Sequence, residues 1–251
     1  MLAHNPTLPL PPQDFMDAVA GNPTTAEMHV EVGRHVYEVV RERCTIGPMD
    51  TVLDIGSGCG RVAMFFAGRH AGHYHGIDIM LPMVEWCREN ISTPYPNFRF
   101  HHADLANTLY LGGAGNAADY IFPFDDATFD VVFATSVFTH LLPPSARQYA
   151  REVARVLKPG GRALLTFCLT NDAYRERLAA GASFPFGFPY QLDGYSVASL
   201  ENPEGIVAFE EEDARTILVD AGLRVLDLSL GSWSGNENAW TGQDAILLTV
   251  A

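Results

Sequence analysis

Apolar residues at positions 28, 32, 36, 39 and 40 recur at helical spacing and predict a helix over residues 25–44, which Gly47 and Pro48 bring to an end. Residues 51–55 form a short apolar run bounded by turn residues, the pattern of a buried strand. Helix-like and strand-like stretches then alternate. Helices are predicted over 62–70, 81–91 (Pro82 is tolerated in its first turn) and 145–157, the last stopped by Pro159, Gly160 and Gly161. Strands are predicted over 74–79, 98–102, 131–136 and 163–169. Residues 224–230 and 245–250 read as a closing hairpin across a turn region rich in Gly, Ser and Asn. Such alternation implies an α/β fold with a doubly wound, mostly parallel sheet.

Three stretches break the rhythm. Residues 1–14 carry Pro6, Pro9, Pro11 and Pro12 and are expected to be extended or mobile. Residues 106–123 make a polar connection longer than most loops. Residues 170–209 are rich in aromatics, Gly and Pro and follow the fifth strand, where open α/β sheets bind ligands. The expected organisation is one domain over 1–251, with an N-terminal extension over 1–24 and a substrate lid over 170–209.

Composition narrows the function. The chain has 251 residues, 47% of them apolar, enough for one sizeable core. A formal net charge of −14, with only 16 Lys and Arg, disfavours phosphate backbones and anionic membranes, so neither nucleic acid nor membrane is expected as a partner. Cys44, Cys59, Cys87 and Cys168 show no CxxC or zinc spacing and read as reduced, mostly buried thiols. No signal peptide and no spanning apolar run is evident, and a cytoplasmic location is expected. The oligomeric state is not legible.

The chemistry concentrates where the first strand ends. Asp54 leads into Gly56, Ser57, Gly58 and Gly60, and Arg61 opens the next helix. Glycines there let the backbone turn sharply and approach a ligand closely. Asp78, ending the second strand, stands where a carboxylate can accept hydrogen bonds from both hydroxyls of a ribose. Dinucleotide binding asks for a third glycine where this chain has Arg61, and a carboxylate at Asp54 repels a pyrophosphate but suits an ammonium or sulfonium group. The loop therefore suits S-adenosylmethionine better than a dinucleotide.

With this loop, the strand end Gly76-Ile77-Asp78-Ile79, the strand end His102-Ala103-Asp104-Leu105, residues 129–140 and the segment Val156-Leu157-Lys158-Pro159-Gly160-Gly161-Arg162, the chain resembles the class I S-adenosylmethionine-dependent methyltransferases. The resemblance is strong over residues 48–170 and looser over 206–251. It implies a Rossmann-like seven-stranded sheet, mostly parallel with an antiparallel last strand and helices on both faces. It also implies that Asp104 accepts a hydrogen bond from the adenine amine, with the Leu105 amide on the ring. Ile79 and Met80 would flank the adenine or fill the core, and Thr135 is counted with the cofactor site. Arg61 would pair with the methionyl carboxylate or only with a surface acid.

The end of the fourth strand lacks the carboxylate of magnesium-dependent enzymes, the Asn/Asp-Pro-Pro-Tyr motif and a Pro-Cys nucleophile. His140 is then the candidate general base for a hydroxyl acceptor, or a residue that merely packs at the next turn. His70, His73, His75, His101 and His102 cluster in sequence, but lone histidines are common on helix-flanked strands and no metal is expected. Tyr190, Tyr195 and Trp233 are assigned to the substrate side, although Trp233 could instead plug the core. Glu210, Glu211, Glu212 and Asp213 read as the acidic first turn of a helix. The expected function is metal-independent methyl transfer to a hydroxyl of a small molecule, such as a sugar or natural-product intermediate. A small-amine N-methyltransferase and a non-catalytic cofactor-binding partner are the alternatives.

Overall fold

A computed structural model describes residues 5, 7–107 and 113–250. In chain order the elements are α1 (Gln13–Ala20), α2 (Ala26–Arg43), β1 (Val52–Ile55), α3 (Ala63–Phe66), β2 (Tyr74–Asp78), α4 (Leu81–Cys87), β3 (Phe98–His102) and β4 (Phe129–Ala134). There follow α5 (Pro143–Val156), β5 (Leu157–Phe167), β6 (Leu169–Thr170), α6 (Asp172–Ala179), β7 (Tyr190–Gln191), β8 (Tyr195–Val197), β9 (Val207–Glu210), α7 (Glu211–Asp220), β10 (Leu223–Ser229) and β11 (Asp244–Val250). Among the described residues a seven-stranded sheet runs β10-β11-β5-β4-β1-β2-β3, and a smaller one runs β6-β9-β8-β7. The pairs β1–β2 and β2–β3 are parallel, whereas β11 is antiparallel to both β10 and β5. The chain divides into two compact units, Met1–Asp104 with Phe129–Phe133 and Leu105–Thr128 with Ala134–Ala251. Among the described residues no helix is long and apolar enough to cross a membrane.

In the first unit, α2 begins where expected. Thr25 caps it, its hydroxyl accepting from the Met28 amide at 3.2 Å, and Arg41 and Arg43 in its last turn complement the helix dipole. Its buried face differs from the expected one. His29, Gly33, Val36, Tyr37 and Val40 point inward, while Met28 is 56% exposed. The cause is Gly33, where a Cβ would stand 2.5 Å from the Arg61 carbonyl oxygen, so the helix sinks onto the chain there and its face turns by one position. All four residues of β1 are buried, as befits an interior parallel strand.

Several expectations are corrected. The helix after the glycine loop is a single turn, because Gly68 adopts φ +76° and redirects the chain. The strand β4 begins two residues before the expected start, and α4 passes into a π-helical turn, Arg88–Ser92. The segment Pro159-Gly160-Gly161 does not precede β5 but lies within it, in an irregular strand with Gly160 at φ +80°. Of the N-terminal stretch, residues 1–4 and 6 lie outside the described residues. The rest is pinned down: Asn5 and Leu8 are buried, Asn5 Nδ2 donates to the Ala67 carbonyl at 3.1 Å, and α1 forms unannounced by the sequence pattern.

In the second unit, the stretch 170–209 forms the helix α6 and contributes β7, β8 and most of β9 to the small sheet. Its Tyr174, Phe188 and Ala208 meet Cys168 and Trp233 in an apolar cluster, with Phe184, Phe186 and Ile206 against it. The connection 106–123 lies partly outside the described residues, at 108–112. Its later part is stitched to α5: the Phe122 amide donates to Glu152 at 2.7 Å, and Arg155 donates to the carbonyls of Phe122 and Phe124. Of the acidic run, Glu211, Glu212 and Asp213 lie in the first turn of α7 as expected, whereas Glu210 ends β9 and precedes the helix.

Candidate functional site

The glycine loop is built by three left-handed residues, with φ +74° at Gly56, +51° at Gly58 and +76° at Gly60. That backbone suits glycine above all other residues. The loop is fastened to β2, since the Gly56 and Ser57 amides both donate to the Ile77 carbonyl, at 2.8 and 3.1 Å. Space is short on its other sides. A Cβ on Gly60 would stand 2.5 Å from Ile91 Cδ1, and one on Gly58 would stand 2.9 Å from Val19 Cγ2 of α1. The sequence pattern does not reveal that α1 packs on this loop.

Asp78 ties the loop to the end of β2. One carboxylate oxygen accepts from the Gly58 amide at 2.6 Å and the other from the Met80 amide at 2.8 Å. Burial raises its pKa above the ordinary carboxylate range, opposed by the amides of Met80, Gly58 and Ile79. A carboxylate offers about four acceptor positions, so capacity for a ribose hydroxyl is left beside these amides. Ile79 and Met80 follow directly and are half-buried; the Ile79 carbonyl bonds the His102 ring at 3.1 Å. Asp104 is exposed just past β3, and the Ala103 amide before it donates to the Asp78 carbonyl at 2.9 Å, which sets the two strand ends side by side.

Asp54 is buried where β1 enters the loop. It is 2% exposed and accepts a 2.6 Å hydrogen bond from the Tyr74 phenol, a partner that sequence reasoning misses. Its pKa is pushed up to about 7, mainly by burial and further by Asp78, with Tyr74 and Arg61 opposing. Folding therefore tightens its hold on a proton. Its contribution to stability is fully present below about pH 4 and is lost as pH rises through about 7, a change on the order of a few kcal/mol. Thermal unfolding of the ligand-free protein is expected to show the parent losing stability over that range relative to Asp54→Asn, which keeps an acceptor for Tyr74. Parallel curves for the two proteins would refute this reading of the buried carboxyl.

Arg61 is half-buried under α2, and burial holds its pKa below the ordinary value, with Cys59 and Asp54 opposing. Near it lies His29, 2% exposed, whose two ring nitrogens have no hydrogen-bond partner. The Ser57 hydroxyl, also buried, has none either. Hydrophobic periodicity cannot single out a histidine on a helix face. The available signal is Gly33 inside a helix, which costs about 1 kcal/mol relative to Ala and so marks a close approach.

The second unit holds the remaining candidates. Thr135 is half-buried after β4, and Ser136 beside it takes φ +58°, uncommon for a residue with a side chain. The Ser136 amide donates to the Thr166 hydroxyl at 2.9 Å, which donates to Gln243 Oε1 at 2.6 Å. His140 sits on a short 3-10 turn, Phe138–His140, with Nδ1 3.0 Å from the Glu204 carbonyl oxygen. A carbonyl only accepts, so Nδ1 carries the proton and the neutral ring has its lone pair on Nε2. Burial keeps the His140 pKa below the ordinary value, with the backbone at Glu204 and Gly205 opposing. Leu105 is buried and bridges to Gly115.

Trp233 is corrected from substrate contact to core. It is 4% exposed, packs on Tyr174, Phe184 and Phe188, and donates from its indole to Asp244 at 2.7 Å. Asp244 is fully buried and also accepts from the Gly231 and Leu169 amides, so it anchors the start of β11. Tyr190 is 43% exposed on β7, and Tyr195 lies half-buried on β8 against Phe209. Of the histidines in the first unit, His75 and His101 stack with ring centroids 5.3 Å apart and Nδ1 of the first 3.1 Å from Nε2 of the second, and His70 bonds the Asp50 carbonyl. Among the described residues no group of three or more His, Cys, Asp or Glu is arranged to hold a metal ion.

This geometry of loop, acidic strand ends and sheet order has counterparts. Residues 52–161 match the family described as methyltransferase domain. Over that stretch the chain is similar to the class I S-adenosylmethionine-dependent methyltransferases. It is 28% identical over 141 residues to the methyltransferase GfsG of Streptomyces halstedii, covering 56% of this chain and 46% of that one. It is 27% identical over 168 residues to phosphoethanolamine N-methyltransferase 2 of Caenorhabditis elegans, covering 66% of this chain and 34% of that one. The chain thus spans about half the length, or less, of these curated relatives. The crystal structure of the PH0226 protein from Pyrococcus horikoshii OT3 shares the fold, with a TM-score of 0.60 at 18% identity over 91% of this chain and 93% of that one. The residues present fit the family's cofactor. Three left-handed glycines shape the turn, Asp78 has acceptor capacity left for a ribose hydroxyl, and His29 and Ser57 keep buried polar atoms without partners.

Proposed function

We propose that the chain transfers a methyl group from S-adenosylmethionine to a hydroxyl of a small molecule, without a metal, and that His140 takes the proton from that hydroxyl. The observation that supports this reading is the bond from His140 Nδ1 to the Glu204 carbonyl, which sets the tautomer a general base needs. When bound, the cofactor supplies a methyl group on a positively charged sulfur, open to in-line displacement. Asp78 accepts from the ribose hydroxyls, Asp104 accepts from the adenine amine beside the Leu105 amide, and Ile79 and Met80 flank the ring. Asp54, Gly56, Ser57, Gly58 and Gly60 shape the turn, Arg61 faces the methionyl carboxylate, and Thr135 borders the cofactor. The segment 170–209, with Tyr190 and Tyr195, covers a sugar-like or natural-product acceptor and excludes water from it.

A second reading is favoured by the relative named as a phosphoethanolamine N-methyltransferase: the acceptor is an amine. An acceptor panel separates the two. Formation of S-adenosylhomocysteine is measured with hydroxylated sugars, polyols and phenols beside matched primary and secondary amines. Acceleration by hydroxylated compounds is expected; acceleration by amines alone would overturn the first reading.

A further inference from the structure

We propose that His29, on the buried face of α2, completes the cofactor site by donating a hydrogen bond to the carboxylate of the bound nucleoside amino acid, side by side with Arg61. This rests on the reading that the chain binds S-adenosylmethionine. A neutral imidazole carries one N–H and one lone pair, and a ring closed off from water needs partners for both. His29 is 2% exposed and its Nδ1 and Nε2 have none within the protein.

Placement points to the ligand class. His29 and Gly33 are one helical turn apart on the same face of α2. At Gly33 the helix comes so close that a Cβ would stand 2.9 Å from Arg61 Cγ. His29 therefore lies on the face of α2 that packs on Arg61, and the guanidinium charge adds to burial in holding the imidazole pKa down to about 4. A group that satisfies an imidazole N–H beside a guanidinium must accept hydrogen bonds and carry negative charge. His29 is also in the first turns of an 18-residue helix, where the dipole favours an anion. A carboxylate meets these demands, whereas an adenine or a ribose does not.

A residue kept for a ligand carries a signature that a packing residue lacks. Removing its unpaired nitrogens should not destabilise the ligand-free protein, because no hydrogen bond is lost. Calorimetric titration of the parent, His29→Leu and His29→Gln with S-adenosylhomocysteine and with 5′-methylthioadenosine, which lacks the amino-acid tail, tests the assignment. His29→Leu is expected to weaken S-adenosylhomocysteine binding at least about tenfold and to leave 5′-methylthioadenosine within about twofold. His29→Gln, which keeps a donor, should recover part of the loss, and the ligand-free melting temperature of His29→Leu should equal or exceed that of the parent. In the unaltered protein, the His29 ring nitrogen resonances should shift on adding S-adenosylhomocysteine but not 5′-methylthioadenosine. Equal loss for both ligands, unchanged S-adenosylhomocysteine affinity in His29→Leu, or ring resonances that ignore the tail would each overturn the assignment while the cofactor reading stands. A parent protein that binds neither ligand would overturn both.

Discussion

His140→Asn is expected to lower turnover on a hydroxyl acceptor by roughly 10²–10⁴-fold, the contribution of a positioned base. The affinity for S-adenosylhomocysteine should change little, since the residue is assigned to the acceptor's proton rather than to the cofactor. Because burial lowers the pKa of His140, the ring is neutral at pH 7. The acid limb of the parent's pH–rate profile should accordingly fall below the ordinary histidine value near 6.5 and vanish in the variant. The bond to the Glu204 carbonyl is lost with the imidazole, so a melting curve must accompany the kinetics. Turnover within a few-fold of the parent, with the acid limb retained, would leave His140 as a packing residue. An amine acceptor would also blunt the effect, because its proton can leave after transfer.

For Asp78→Ala the expected result is a loss of cofactor affinity of at least tenfold, and about a hundredfold if two charge-assisted bonds at roughly 1.5–3 kcal/mol each are only partly replaced by water. The same carboxylate also braces the amides of Gly58 and Met80, so it both shapes the loop and grips the ligand. Asp78→Asn is not a gentle alternative. Both oxygens face backbone N–H donors, and an amide NH₂ must point at one of them, donor against donor. Asn is therefore expected to lose nearly as much affinity as Ala. Calorimetry with S-adenosylhomocysteine, alongside circular dichroism of the ligand-free variants, checks this. Affinity within threefold of the parent in either variant would remove Asp78 from the site.

The shape of the glycine loop is legible in the sequence because its causes are local. Left-handed turns demand glycine, so Gly56, Gly58 and Gly60 announce themselves, and Asp78 falls at the end of the next strand as its pattern indicates. The pattern of β1, β2 and β3 likewise follows from short apolar runs between turn residues. What escapes notice depends on distant partners. The helix α1 lies just behind a proline-rich stretch and holds on through Met16 and Val19 rather than through a conspicuous apolar stripe. The face of α2 is turned by one glycine meeting a backbone carbonyl, which carried His29 inward unseen. In the segment 170–209, strands of two and three residues are too short to show a period, and they form because an aromatic cluster holds them. Trp233 reads equally well as a stacking platform or a plug until its indole is found on Asp244.

The strand β11 lies between β10 and β5, although it is made after both. While the ribosome is still delivering residues 230–243, β5 and β10 each wait with an unfilled flank, and Asp244 has yet to supply acceptors for the amides of Leu169 and Gly231. Nascent chains halted short of Asp244 should therefore behave as clients of chaperones that shield open sheet margins, and release should come abruptly once that last interior strand slots home.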